Sequence, residues 1–188
     1  MSDAYFLVLD LEATCDKTGF PRDERETIEI GALLVGAASL TVIHEYQTFV
    51  RPIRHPQLTD YCIDLTSISQ ETVDAAPGFP SAFQGLLDLI EPFGSPTLAS
   101  WGRYDHRQLN RDCAFHALDY PFAEHMDLSA LFMRRVGLKR RISMANAMKR
   151  CGLTMSGTQH RGIDDAKNLL RLMPWCLERQ PMPAATTT

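Results

Sequence analysis

The chain has no apolar run approaching the roughly 20 residues that a membrane-spanning helix needs, which excludes that mode of action and any membrane partner that depends on it. It has no Cys-x-x-Cys pair. Its five cysteines (Cys15, Cys62, Cys113, Cys151 and Cys176) are odd in number and scattered. That argues against a disulfide framework or a zinc site, and for a reducing, cytoplasmic setting. Nor is there an excess of cations. Nineteen Lys and Arg face 23 Asp and Glu, for a net charge of −4, so the chain as a whole lacks the basic signature of a nucleic-acid binder. Met1-Ser2-Asp3-Ala4 has no basic n-region, so no secretory signal is expected. No repeat or linker divides the 188 residues, of which 45% are apolar. One domain over residues 1–180 is expected, with residues 181–188 as a disordered tail.

What is present begins with Phe6-Leu7-Val8-Leu9-Asp10-Leu11-Glu12. The apolar residues read as a buried strand from about 5 to 12, followed by a polar loop over 13–25. Residues 27–36 and 41–51 read as two more strands joined by the short link Gly36-Ala37-Ala38-Ser39, and the three make an antiparallel meander. Residues 52–66 carry Pro52 and Pro56 and read as mostly irregular. Ser69 opens a short helix, and a longer one runs from about Pro80 to Ile90. Strands follow near 97–101 and 125–128, and helices near 104–116, 129–136 and 143–151, the last with Ser143 as its N-cap. A final helix starts at Ile163 and runs to about Met173, where Pro174 should end or kink it. Three strands followed by alternating helices and strands predict an α/β fold. Its central sheet would be mixed, with a meander and then parallel strands, flanked by helices.

Asp10 and Glu12 stand two apart on a strand, so both carboxylates share one face. Two like charges on a core strand are costly unless something neutralises them. A divalent cation with hard oxygen ligands, magnesium or manganese, is the simplest answer. Asp105 follows a short strand and opens a helix. Alone it also reads as a helix N-terminal carboxylate stabilised by the dipole. In His160-Arg161-Gly162-Ile163-Asp164-Asp165, the glycine marks the helix start. His160 then lies on a loop and Asp165 in the first turn, which suits a proton carrier and a metal ligand respectively. Asp164 reads as a helix N-terminal carboxylate. Glu29 reads as the half-polar face of its strand, with a place near the site as the alternative. His44, His55, His106, His116 and His125 show no partner pattern. Residues 134–141, with Arg134, Arg135, Lys139, Arg140 and Arg141, carry five cations and no acid. They read either as a solvated helix end or as a patch that tracks phosphates.

The pattern Asp-x-Glu, then Asp, then His-x4-Asp resembles that of the DEDDh 3′–5′ exonucleases. The segments Leu9–Cys15, Glu26–Ala32, Leu58–Cys62 and Ser100-Trp101-Gly102 are similar to the ERI-type branch with its bacterial KapD-type members. The resemblance implies a ribonuclease H-like fold and two divalent ions, Mg²⁺ or Mn²⁺. Asp10, Glu12, Asp105 and Asp165 would be ligands and His160 the general base, all five catalytic. It further implies release of 5′-mononucleotides from the 3′ ends of single-stranded RNA or DNA, with RNA favoured. Substrate contacts are expected from Trp101 by stacking, from the backbone at Leu11 and Ala13, and from Leu65, Thr66 and Ile68. Ser67 stands where the family pattern usually has glycine. A non-catalytic nucleic-acid-binding module on the same fold is the alternative.

Overall fold

The computed structural model describes residues 4–21 and 23–183. Five strands form one sheet: β1 (Tyr5–Ala13), β2 (Thr27–Gly36), β3 (Val42–Phe49), β4 (Thr97–Ser100) and β5 (His125–Asp127). Their order is β3-β2-β1-β4-β5. β1 pairs antiparallel with β2, and β2 with β3, while β4 and β5 run parallel to β1. The expected meander and mixed sheet are both present. The helices are α1 (Asp60–Thr66), α2 (Gln70–Asp74), α3 (Phe79–Ile90), α4 (Tyr104–Phe115), α5 (Leu128–Val136), α6 (Met144–Arg150) and α7 (Gly162–Cys176).

Strand alternation decides which side chains meet which layer. Leu7, Leu9 and Leu11 of β1 pack with Phe79, Phe83 and Leu86 of α3 and Leu109 of α4. The intervening Val8 packs with Phe132 of α5, Met148 of α6 and Leu169 of α7. The sheet is therefore covered on both faces, and its central strand is buried on both. Asp10 and Glu12 continue the Val8 face beyond the end of the apolar run, which turns them toward the start of α7.

Two local expectations need correction. Residues 60–66 are helical, not irregular. Thr59 Oγ1 accepts from Cys62 N at 3.1 Å as an N-cap, and Cys62 and Thr66, four apart, bury one stripe. α7 does not end at Met173 but carries Pro174 within it. Proline in a helix costs about 3 kcal/mol. Burial of Trp175 and Cys176 just beyond it opposes that cost, each apolar side chain contributing on the order of 2 kcal/mol. Just before the tail expected from 181, the Arg135 guanidinium donates to the Trp175 and Gln180 carbonyls. Trp175 Nε1 donates to Pro181 O at 3.1 Å. Residues 184–188 of that predicted tail lie outside the described residues.

Candidate active site

Two glycines bring α7 down onto the strands. A Cβ on Gly31 would lie 2.1 Å from the backbone of Gly162, and one on Gly162 would lie 2.9 Å from Asp10 O. Only bare backbone lets the helix start sit this close to β1 and β2. Glu29 then secures it. Its buried carboxylate accepts from Arg161 Nε and from Gly162 N, both at 3.1 Å, and from Gln47 Nε2 at 2.8 Å. Glu29 pairs across the sheet with Glu12, so it lies near the site, as a positioning group for α7. A lone buried carboxylate needs such partners, but nothing in the local sequence named Arg161, which is 132 residues away.

The carboxylates converge from three elements. Asp10 and Glu12 come from β1. Asp105, in the first turn of α4, accepts the Leu11 amide on Oδ1 at 3.2 Å. Behind it, Ser100 Oγ donates to Gly102 O at 3.1 Å and lies 3.0 Å from His125 Nε2. Asp165, in the first turn of α7, accepts from His160 N on Oδ2 at 3.0 Å. Its Oδ1 is buried and has no hydrogen-bond partner among the described residues. Asp164 has a different task, accepting from Thr158 N at 2.8 Å to hold the loop that carries His160. His160 sits at φ 59°, in the left-handed region.

One ligand-capable atom from each of Glu12, His160 and Asp165 falls within 4.8 Å of the others. An orphaned buried carboxylate oxygen beside a second carboxylate and an imidazole fits a divalent cation better than it fits a purely structural cluster. The electrostatics agree. Burial, then repulsion by Asp105, Glu12 and Asp165, holds Asp10 well above the usual carboxylate range. Burial, then Asp165, Glu29 and Asp105, pushes Glu12 from 4.5 to about 8. Burial lifts Asp105 to about 6 against the Leu11 amide, and it also raises Asp165. Such a group of carboxylates takes up protons unless cations replace them.

These residues floor an open cavity of about 390 Å³. Asp10, Glu12, Asp105, His160 and Asp165 all face it, as do Leu11 and Trp101. The Trp101 indole donates to Ile142 O at 3.2 Å and leans on Phe132, which fixes its ring in the wall. Tyr104, Met144, Met155 and Gln159 complete that wall. They escaped sequence reading because they come from separate segments, Tyr104 from α4, Met144 from α6, and Met155 and Gln159 from the stretch between α6 and α7. Ala13, Leu65, Thr66 and Ile68 do not line the cavity. Ala13 O accepts from Cys62 Sγ at 3.8 Å, Thr66 Oγ1 donates to Cys62 O at 2.8 Å, and Ile68 is buried beneath α1. Ser67 adopts φ 58° at the C-cap of α1, the left-handed conformation for which glycine is suited.

The ribonuclease T-type exonuclease family profile matches residues 7–173. The chain is 31% identical to the 3′-5′ exonuclease eri1 of Schizosaccharomyces pombe over 90% of its length and 66% of that protein's. It is 28% identical to the probable 3′-5′ exonuclease KapD of Bacillus subtilis, covering 92% of this chain and 84% of the other. It spans half to two thirds of the curated eukaryotic relatives it matches, such as 51% of human 3′-5′ exoribonuclease 1. The nuclease domain of 3′hExo, a DEDDh family member solved with rAMP, superposes with a TM-score of 0.87 at 27% identity. The match covers 97% of both chains. The ribonuclease H-like architecture expected from the motifs is thus present, and the chain belongs to the DEDDh 3′–5′ exonuclease family, among its ERI-type and KapD-type members.

Proposed function

We propose that this chain hydrolyses single-stranded nucleic acid from its 3′ end, RNA in preference to DNA, and releases 5′-mononucleotides. The observation that carries the reading is the convergence of four raised carboxylates and one histidine on the floor of a single open cavity. Relatives named as 3′–5′ exoribonucleases support it. Asp10, Glu12, Asp105 and Asp165 carry four negative charges, which two Mg²⁺ or Mn²⁺ ions balance. Such ions, when bound, polarise the phosphodiester and lower the pKa of water.

The chain's own groups do the rest. The Leu11 amide fixes the Asp105 rotamer, and the His160 amide fixes that of Asp165 through Oδ2, leaving Oδ1 without a partner among the described residues. The His160 imidazole takes the proton of the attacking water. Trp101, Met144 and Met155 offer apolar surface to the terminal base, and stacking on the indole contributes on the order of 1–3 kcal/mol. The five free, buried thiols support a reducing, cytoplasmic setting. Among the described residues no helix is long and apolar enough to cross a membrane.

The test is His160→Ala, followed by single-turnover hydrolysis of matched RNA and DNA oligomers and by calorimetric titration with Mn²⁺. Loss of a general base should lower the rate by roughly 10²–10⁴-fold and leave manganese affinity nearly intact. An equal loss of manganese affinity would reassign His160 as a ligand, a role its position beside Glu12 and Asp165 makes worth excluding.

A further inference from the structure

We propose that Arg103 at the N-cap of α4, Arg107 and Arg111 on that helix, and Arg141 from the segment after α5 form a second binding site. Its ligand is the phosphates of the nucleic-acid strand on the 5′ side of the scissile bond. The proposal rests on the exonuclease reading for the direction of the strand.

α4 has two unlike faces. Asp105, Gln108, Leu109 and Asp112 are buried. Arg103, Arg107 and Arg111 recur every fourth residue, so they share another side of the helix. With Arg141 and Tyr104 they line a hollow of about 130 Å³. Tyr104 also walls the catalytic cavity, so one side chain separates the two. A strand whose 3′ end lies over the carboxylates can leave across Tyr104 into the hollow.

Among the described residues none of these four guanidiniums lies within 4.0 Å of a carboxylate, although Arg161 and Lys167 are each ion-paired elsewhere. Arg111 Nη2 donates to Gln108 Oε1 at 2.6 Å, while its Nε is buried with no partner. The hollow's field is felt nearby. His106 is pushed down from its ordinary value by burial and then by Arg103 and Arg107. Like charges gathered without a protein counterion, on a chain of net charge −4, call for an anion from outside. The planar fork of arginine matches phosphate oxygens pairwise. The cationic run of residues 134–141 contributes only Arg141 to this hollow, and Arg135 is spent on the Trp175 and Gln180 carbonyls.

The experiment compares the wild type with R103Q/R107Q/R141Q, three exposed positions. The substrates are a ribodinucleotide, too short to reach the hollow, and a 5′-labelled dodecamer. Turnover of the dinucleotide should stay within about twofold, whereas KM for the dodecamer should rise at least tenfold. With a slope of roughly 0.7 per phosphate on single strands, losing three contacts should flatten log(kcat/KM) against log[salt] by about 2. The wild type should therefore lose roughly 20-fold more than the variant between about 50 and 200 mM salt. R103K/R107K/R141K should restore the slope. Unchanged KM and slope in the glutamine variant, with the wild type active, would overturn the site and leave the exonuclease reading standing. Fluorescence anisotropy of the dodecamer in chelator separates the other failure. Binding lost in the glutamine variant, with no hydrolysis of either substrate by the wild type, would keep the site and remove the exonuclease reading. Equal competition by millimolar inorganic phosphate against wild type and variant would also count against the strand assignment.

Discussion

Removing divalent metal and raising the pH should destabilise this protein through the carboxylates of its own site. Glu12 titrates at about 8 in the folded chain, against 4.5 ordinarily, because burial strips it of water and Asp165, Glu29 and Asp105 repel its charge. Between those two values the folded chain keeps a proton that the unfolded chain has lost. Stability is therefore greatest below the lower value and is lost as pH rises toward the upper one. From pH 5 to 8, Glu12 alone removes roughly 3–4 kcal/mol. Asp105, raised to about 6, acts in the same direction over the lower part of the range. For a chain of this size about 1 kcal/mol moves Tm by roughly 2–4 °C, so the metal-free Tm should fall by on the order of 10 °C. Differential scanning calorimetry in chelator across that range measures it, with a second series in excess Mn²⁺. Cations bound by the carboxylates should raise the Tm at pH 8 and flatten the profile, and Glu12→Gln should flatten the chelator profile on its own. A metal-free Tm that is level or rises from pH 5 to 8 would refute the reasoning.

Gly31→Ala should separate α7 from the sheet, because the new Cβ would overlap the Gly162 backbone. A cost of at least about 2 kcal/mol, by analogy with overpacked cores, should show in urea unfolding together with loss of nuclease activity; wild-type values for both would contradict the close approach. Glu29→Ala leaves Arg161, the Gly162 amide and Gln47 without their acceptor. Breaking such a pair typically costs about 3–5 kcal/mol, and turnover should fall with the shift in urea midpoint. Ser67→Gly relieves a left-handed residue at φ 58°. The gain should be a few tenths to about 1 kcal/mol by thermal unfolding, after the entropy of the added glycine is set against it.

The parts of this fold that were legible in the sequence are those governed by a short period. The apolar run Phe6–Leu9 gave the buried strand, and the two-residue spacing of Asp10 and Glu12 put both carboxylates on one face of it. Ser69 announced the start of a short helix and Ser143 announced its helix as an N-cap; in the structure Ser69 accepts from Thr72 N and Ser143 from Asn146 N. α1 was hidden because Pro52 and Pro56 suggested an irregular stretch and because seven residues are too few to display a helical stripe. Pro174 misled because the rule against proline is local, whereas the burial of Trp175 and Cys176 is tertiary. The role of Glu29 depends on Arg161 and the arginine hollow on Arg141, both brought in by folding from distant segments. The expected substrate contacts split on the same ground. Leu11 and Trp101 reach the cavity from the site's own strand and turn, whereas Ala13, Leu65, Thr66 and Ile68 are engaged in packing around Cys62.

In the proposed function these carboxylates drive metal-dependent hydrolysis from a 3′ end. The most direct measurement incubates 5′-labelled single-stranded RNA with wild type or Asp10→Asn, in Mg²⁺ or Mn²⁺ and in chelator, and resolves the products by length. The wild type should yield a ladder shortening from the 3′ end with mononucleotide released, and chelator or Asp10→Asn should abolish it while the protein remains folded. A folded, metal-loaded wild type that leaves the RNA intact, or an Asp10→Asn variant that degrades it as fast, would contradict the account.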